Sequence, residues 1–424
     1  MKRGFYTIIT AQFFSSLADN ALLIAAIAVL IEMSAPEWMR PLLKLFFTIS
    51  YVMLAPFVGT IADSIPKGRV MFLTNNIKIF GCLLFFFHVH PLIAYAIVGF
   101  GAASYSPAKY GILTELLPPE KLIIANSWIE SATVISILLG TLLGGLLISP
   151  NLSSIILNTN VSIYLKLSNP SEAALLVICL IYLTASIINF AIPKTGAIYK
   201  KQSLNPLLLT SKFFKNNLFL WKDKLGQISL SVTTLFWGAG ATLQFIVLQW
   251  AEARLGMSLD KAAMLQGVVA VGIIFGAIIV AGGVSLKNSL RVLPMGVVLG
   301  LIIPAMTLIS SLEIAVVLLI VVGALGGAFV VPMNALLQHR GHVILSAGQS
   351  IAAQNFNENA NVLFMLGIYS LMIYFELSIN KIIWVFGLFL AITMAMVIKR
   401  YKTSKQNHNL TKLIGDKRSA TMQN

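Results

Sequence analysis

Long apolar runs recur along the whole chain, and they constrain its fold more than any other sequence feature. A helix that crosses the hydrocarbon core of a bilayer needs about 20 predominantly apolar residues. Twelve runs of roughly that length lie at about 5–32, 42–62, 70–88, 92–114, 122–149, 173–192, 227–251, 261–284, 292–311, 313–337, 349–375 and 381–398. We therefore predict an all-α membrane protein with twelve transmembrane helices.

The composition leaves little room for a soluble or catalytic domain. Apolar residues make up 58% of the 424 residues and charged residues 11%, against about 25% charged in an average soluble protein. Cys82 and Cys179 lie inside apolar runs, which indicates packing residues rather than a disulfide or metal pair. The sequence contains no phosphate-binding loop, and no histidine precedes an aspartate by five positions as in acyltransferases. We predict a protein that is not an enzyme and has no cofactor.

Lysine and arginine are distributed unequally between the loops on the two sides of the predicted membrane. With the N-terminus in the cytoplasm, 22 of them lie on the cytoplasmic side and 6 on the opposite side. This bias predicts that both termini are cytoplasmic. It also accounts for most of the net charge of +15, so the basic segments are expected to contact anionic lipid, not nucleic acid.

The two halves of the chain resemble each other. Gly101-Ala-Ala-Ser-Tyr-Ser-Pro107 in span four corresponds to Gly326-Gly-Ala-Phe-Val-Val-Pro332 in span ten. Two weaker matches occur at nearly the same offset, although glycine and proline are common in membrane helices and chance recurrence is the alternative. The repeat predicts an N-terminal six-helix bundle (1–192), a cytoplasmic basic linker (193–226), a C-terminal six-helix bundle (227–398) and a basic cytoplasmic tail (399–424). Parallel halves of this kind are typical of major facilitator transporters.

The loop between spans two and three fits the major facilitator loop signature through Gly59, Asp63, Lys67 and Arg69. Gly59 allows close helix approach, and Asp63 is expected to cap the N-terminus of a helix in the other half, with span eleven as its partner. Lys67 and Arg69 are expected to anchor the turn at the lipid headgroups. The loop would then be a conformational latch; a purely topogenic loop is the alternative.

Ionisable residues inside membrane spans are costly, which makes each a functional candidate. Asp19, beside Asn20 in span one, is expected to bind a cationic group or carry a proton. Alternatively, nearby serines or a lysine on another helix satisfy its carboxylate. Lys78 in span three is interpreted as structural. Lys109 in span four is expected to meet a phosphate, to extend toward the headgroups, or to pair with Glu130.

Span eleven is the most polar span, with Asn355 and Glu358 among seven polar residues, and it is expected to line a cavity or a seam. Glu130 in span five and Glu358 occupy repeat-related positions. They are interpreted either as matched elements of two gates or as interhelical hydrogen-bonding residues.

Several stretches resemble the family of bacterial lysophospholipid transporters, which are major facilitators. They are Gln12-Phe-Phe, Ala18-Asp19-Asn20-Ala-Leu-Leu, the Asp63 loop, Tyr105-Ser-Pro-Ala-Lys109-Tyr-Gly, Val331-Pro-Met-Asn334-Ala-Leu-Leu-Gln338, Gln354-Asn355-Phe-Asn-Glu358-Asn and Met365-Leu-Gly-Ile-Tyr-Ser-Leu. The resemblance covers nearly the whole chain. It implies a transporter of the bacterial inner membrane that brings lysophosphatidylethanolamine inward, for reacylation by a separate acyltransferase/acyl-carrier-protein synthetase.

The resemblance also implies a site for the lipid headgroup, formed by Asp19, Asn20, Lys109, Gln244 and Glu358, with Asp19 meeting the ammonium. Cavity or gate roles are implied for Glu130, Asn334 and Asn355. Two positions depart from the family pattern, because Gln244 stands where the family has an arginine and Ile124 where it has a lysine. A proton-coupled drug or small-solute exporter, with Asp19 as the proton site, is the alternative function.

Overall fold

The computed structural model describes residues 3–35, 39–197, 205–257 and 259–407, and within these residues the chain is helical and forms no β-strand. The α-helices are α1 (Arg3–Glu32), α2 (Met39–Ala62), α3 (Lys67–Phe86), α4 (Pro91–Leu116), α5 (Leu122–Ile148), α6 (Pro150–Leu157), α7 (Asn160–Tyr164), α8 (Pro170–Phe190), α9 (Pro206–Lys222), α10 (Gly226–Leu255), α11 (Leu259–Gly283), α12 (Leu293–Ile302), α13 (Leu312–Ile344), α14 (Ala347–Tyr374) and α15 (Ile379–Asn407).

Each predicted span corresponds to one long helical segment. The ninth span consists of α12 extended at both ends by 3-10 turns, so that the segment covers Leu286–Leu308. Ten of the twelve segments are long and apolar enough to cross a membrane by composition alone, among the described residues. The other two, α4 and α14, have the required length but carry more polar side chains. The predicted twelve-helix all-α membrane fold is confirmed.

Three helices lie outside the predicted spans. α6 and α7 lie between spans five and six, and α9 lies inside the predicted linker 193–226. α9 is amphipathic: Leu209, Phe213 and Leu220 are buried, while Lys215 and Lys222 are exposed. Such a helix is stabilised by packing on one face, a signal that a search for long apolar runs does not detect.

The chain divides into two compact units. Unit 1 comprises residues 1–116 and 132–212, and unit 2 comprises residues 117–131 and 213–424. The start of α5 therefore belongs to unit 2, where it hydrogen-bonds to α11 and α13. The rest of α5 belongs to unit 1, where Gly140 and Gly144 lie against α1. In unit 1, a buried apolar core of mainly alanine, leucine, isoleucine and aromatic side chains joins α1–α4 and α8.

Small residues allow close helix packing in unit 2. On α11, Gly272 and Gly276 face Gly323 and Gly327 of α13, and a Cβ atom at any of the four would collide with the backbone of the opposite helix. Both helices thus present a G-x-x-x-G pair at their contact, a pattern that lets membrane helices approach closely. Both G-x-x-x-G motifs are visible in the sequence.

Candidate functional site

The intramembrane carboxylate of Asp19 lies in an ion pair within unit 1. Lys78 of α3 places its Nζ 2.6 Å from Asp19 Oδ2. The hydroxyl of Tyr182 on α8 donates to Asp19 Oδ1 at 2.7 Å. The Lys78 side chain is 3% exposed and that of Asp19 16% exposed, so the carboxylate is the more accessible partner.

A polar network holds the ammonium of Lys78 in place. Lys78 Nζ donates to Ser15 Oγ at 3.0 Å, and Ser15 donates to Asn75 Oδ1 at 2.9 Å. Asn75 in turn donates to the carbonyl oxygen of Tyr182 at 2.7 Å. Lys78 Nζ also lies 5.2 Å from the centre of the Tyr105 ring, within cation–π range. Side chains from α1, α3, α4 and α8 thus converge on one buried pair of charges.

Gly101 brings α4 against this network. A Cβ atom built on Gly101 would lie 2.7 Å from Lys78 Cγ and 2.8 Å from the carbonyl oxygen of Thr74. The glycine at the start of the repeated motif therefore makes room for the stem of Lys78.

Lys78 is the ion-pair partner of Asp19. A lysine on another helix satisfies the carboxylate, as one of the stated alternatives for Asp19 had it. The interpretation of Lys78 as structural stays a prediction. α1 and α3 both begin on the same predicted side, and the two charges lie roughly one-half of the way along them. The similar depth of these two opposite charges in their spans was the sequence signal that could have identified them as a pair. Asn20 bonds locally, donating to the Ser16 carbonyl oxygen at 2.8 Å.

The loop between α2 and α3 is organised around a buried lysine. Lys67 Nζ lies 3.0 Å from Asp63 Oδ1 and 3.1 Å from Glu115 Oε1 at the end of α4, and it also donates to the Ala62 carbonyl oxygen. With 1% of its side chain exposed, Lys67 does not reach the lipid headgroups, so that expectation is wrong. Burial between two carboxylates satisfies its charge inside the protein instead.

The other signature residues of the loop have simpler environments. Arg69 is exposed, and Gly59 is buried in the last turn of α2. The latch itself, in which Asp63 caps span eleven, stays a prediction.

In unit 2, two buried carboxylates are joined by two amide side chains. Asn334 Nδ2 of α13 donates to Glu130 Oε1 at 3.1 Å. Gln354 Nε2 of α14 donates both to Asn334 Oδ1 at 2.9 Å and to Glu358 Oε1 at 2.7 Å. Glu130, Asn334, Gln354 and Glu358 are all at most 7% exposed. The structure therefore brings together Glu130, Asn334 and Glu358, which the sequence analysis proposed as site residues. Gln354, which links them, was not among the proposed site residues.

A second amide pair lies one turn from this chain of hydrogen bonds. Asn126 of α5 and Gln338 of α13 exchange hydrogen bonds of 3.0 and 2.8 Å. Both residues lie four positions from a member of the chain, Asn126 from Glu130 and Gln338 from Asn334, so the two layers repeat along the same helix faces.

Three further predicted site residues are placed by contacts of their own. Lys109 Nζ stands 4.1 Å from the centre of the Tyr110 ring. The carbonyl oxygen of Asn355 accepts a hydrogen bond from Asn359. Gln244 Nε2 donates to Gln266 Oε1 of α11 at 2.7 Å. Gln244, which stands where the family has an arginine, is thus paired with another uncharged side chain, Gln266.

The polar row of α14 also joins helices. Trp221 Nε1 donates to Asn357 Oδ1 at 3.1 Å, and Asn357 donates to Asn217 Oδ1 at 2.7 Å, which fixes α9 against α14. Further along, Asn361 donates to the carbonyl oxygen of Thr234 on α10 at 2.8 Å. Part of this polar row therefore serves helix–helix packing, as one of the alternatives stated.

Comparison with known proteins identifies the class. A family model described as "Major Facilitator Superfamily" matches residues 8–357. The chain belongs to this superfamily, whose members are transport proteins rather than enzymes.

Particular relatives are similar over most of their length. The protein named "Lysophospholipid transporter LplT" from Yersinia pestis (strain Pestoides F) is 43% identical over 375 residues, covering 88% of this chain and 87% of the relative. The protein of the same name from Yersinia pseudotuberculosis serotype O:3 (strain YPIII) gives the same figures. The resemblance found in the sequence motifs is confirmed.

Solved structures support the fold alone. A bacterial homologue of the iron transporter ferroportin aligns with a TM-score of 0.72 at 16% identity, covering 95% of this chain and all of that one. The human organic anion transporter MFSD10 aligns with a TM-score of 0.68 at 13% identity, covering 94% of this chain and all of that one.

Proposed function

We propose that this protein moves lysophospholipids, chiefly lysophosphatidylethanolamine, across the bacterial inner membrane into the cell. It works as a flippase-like facilitator with both termini in the cytoplasm, and a separate acyltransferase/acyl-carrier-protein synthetase reacylates the lipid. The observation that carries this proposal is 43% identity, over 88% of the chain, to transporters named for this substrate class.

The ion pair of unit 1 fits the chemistry of that substrate. The ethanolamine headgroup carries an ammonium and a phosphate a few bonds apart. Asp19 and Lys78 present the complementary charges side by side, 2.6 Å apart. A bound headgroup can replace their mutual contact with two contacts of the same kind, the ammonium on Asp19 and the phosphate on Lys78. The exchange conserves charge pairing in a site where an unpaired charge is costly.

Transport then requires the substrate to be exposed to each side in turn. We propose that residues 1–192 and 227–398 act as the two halves, joined by the linker 193–226 and followed by the tail 399–424. The Asp63 loop is proposed as the latch, and the chain of hydrogen bonds from Glu130 to Glu358 as a gate. Hydrogen bonds between neutral amides and carboxylates are strong enough to hold a closed state and weak enough to open, about 1.5–3 kcal/mol each.

Uptake into vesicles tests the proposal. The purified full chain is reconstituted, and uptake of lysophosphatidylethanolamine, lysophosphatidylglycerol and a diacyl phosphatidylethanolamine is followed with and without a proton gradient. We expect uptake of the lysolipids and exclusion of the diacyl lipid, without dependence on the gradient. Absence of lysolipid uptake both with and without the gradient would overturn the proposal, whereas uptake that occurs only with the gradient would point to a proton-coupled transporter.

A further inference from the structure

A cleft of about 410 Å³ lies between α10 and α14, within unit 2 and away from the clusters described above. Phe245, Leu248, Gln249 and Glu252 line it from α10. Their spacing of three and four residues places them on one face of that helix. The opposite wall comes from three residues of α14, namely Tyr369, Ser370 and Ile373.

The lining of the cleft is apolar at one end and charged at the other. At one end, Phe245 and Tyr369 pack with ring centres 6.1 Å apart and form an apolar wall with Leu248. At the middle, the Tyr369 hydroxyl donates to Gln249 Oε1 at 3.0 Å. At the other end, the exposed carboxylate of Glu252 has no ion-pair partner among the side chains that the structure describes.

The depth of these groups matches a lipid at one membrane surface. Glu252 lies 26 residues after Gly226, the first residue of α10, which at about 1.5 Å per residue is roughly 39 Å along the helix. That distance exceeds the roughly 30 Å hydrocarbon core, so if Gly226 lies at the cytoplasmic surface, Glu252 lies at headgroup level on the other side. Phe245 lies seven residues, or about 10 Å, deeper. In the proposed topology this end of α10 is at the outer surface.

The position of Glu252 does not serve the stability of its own helix. α10 ends at Leu255, so the carboxylate lies in the last turn, where the helix dipole disfavours negative charge. The carboxylate is therefore available to attract a cationic ligand.

We propose that this cleft is a first binding site for lysolipids with an ammonium headgroup, in which Glu252 takes the ammonium and the aromatic end receives the glycerol and the start of the acyl chain. The inference rests on the proposed function and adds to it a specificity site separate from Asp19. The apolar end formed by Phe245, Leu248 and Tyr369 can receive an acyl chain, and the charge of Glu252 favours an ammonium over an uncharged headgroup.

The test compares Glu252→Gln with Glu376→Gln, an exposed acid that follows α14 at the same end and lies outside the cleft. Each full-length variant is reconstituted in phosphatidylglycerol vesicles, so that the bulk lipid carries no ammonium. Glu252→Gln should raise the half-saturating concentration for lysophosphatidylethanolamine about three- to five-fold, the upper part of the range for an exposed ion pair, and leave that for lysophosphatidylglycerol unchanged. Glu376→Gln should change neither.

A second variant tests the space inside the cleft independently of the charge of Glu252. Ser370→Trp fills the cleft but keeps the charge of Glu252, and it should raise the half-saturating concentration for lysophosphatidylethanolamine while leaving that for lysophosphatidylglycerol unchanged. Curves of Glu252→Gln that overlay those of the wild type, or that shift equally for both lipids, overturn the cleft proposal while the wild type still transports. Wild-type protein that takes up neither lysolipid overturns the proposed function and this inference together.

Discussion

At the residue scale, Asp19 and Lys78 form a pair of opposite charges within the membrane-spanning helices, and we propose that this pair meets a charged substrate. The two charges neutralise each other, and the network of Ser15, Asn75 and Tyr182 holds them in a fixed geometry. The sequence identified Asp19 as a functional candidate but did not identify its partner. A charged residue inside a span can be recognised from the sequence as a functional candidate. Its ion-pair partner cannot, because the partner depends on which helices are in contact.

Asp19→Asn should reduce uptake of lysophosphatidylethanolamine by at least about ten-fold, because the ammonium loses its carboxylate. Lysophosphatidylglycerol has no ammonium, so its uptake should fall much less. The variant should also melt earlier in detergent, because Lys78 stays buried without its partner. Uptake of both lipids by one purified preparation measures the effect; equal, full activity toward both would exclude a transport role.

Stability and transport can be separated at this site. The double variant Asp19→Asn/Lys78→Met removes both charges and should recover melting temperature relative to Asp19→Asn alone. Uptake of both lysolipids should remain low, because the phosphate has also lost its cation. Recovery of transport together with stability would show that the pair is only structural.

The buried Lys67 allows the latch to be tested with a matched control. Asp63 and Glu115 both contact Lys67, at 3.0 and 3.1 Å. Either Asp63→Asn or Glu115→Gln leaves the ammonium with one carboxylate, so both variants should fold. Only Asp63→Asn should slow transport, by an expected several-fold, if capping of another helix is its function. Equal rates for the two variants would reduce Asp63 to a structural partner of Lys67.

At the element scale, the spanning helices could be predicted because the bilayer imposes their length and apolar character. The boundaries were less predictable: α13 continues to Ile344, beyond the predicted end near residue 337, because its buried polar end packs inside unit 2. α6, α7 and α9 were missed because short or amphipathic helices depend on what they pack against. The link through Gln354 was missed for the same reason, since it joins α13 and α14 only in the fold.

Close packing at Gly101 can be tested against an open glycine. Gly101→Ala places a methyl group against Lys78 and Thr74, and overpacking of this kind costs about 1–3 kcal/mol. Gly145→Ala in α5 meets nothing within 4 Å and should be neutral or stabilising by about 0.5–1 kcal/mol. Melting temperatures in detergent compare the two. A Gly101→Ala protein as stable as Gly145→Ala would mean that Lys78 shifts without cost.

At the scale of the whole molecule, topology decides which leaflet supplies the substrate. The positive-inside bias predicts a cytoplasmic α9 and an external segment between α5 and α8. Lys201, in the basic linker, lies outside the described residues, so exposed helical positions on either side of the membrane are better probes. Asn151 of α6 and Ser211 of α9 are both exposed.

Single-cysteine labelling in spheroplasts tests this orientation. Cys82 and Cys179 are first replaced by alanine, because Cys179 is only half-buried. Asn151→Cys should react with a membrane-impermeant maleimide in intact spheroplasts, whereas Ser211→Cys should react only after permeabilisation. The two sites are compared in the same cells, with labelling after permeabilisation as the measure of full reactivity. The opposite pattern would invert the protein in the membrane, place Glu252 at the cytoplasmic face and turn the proposed inward movement of lysolipids into export.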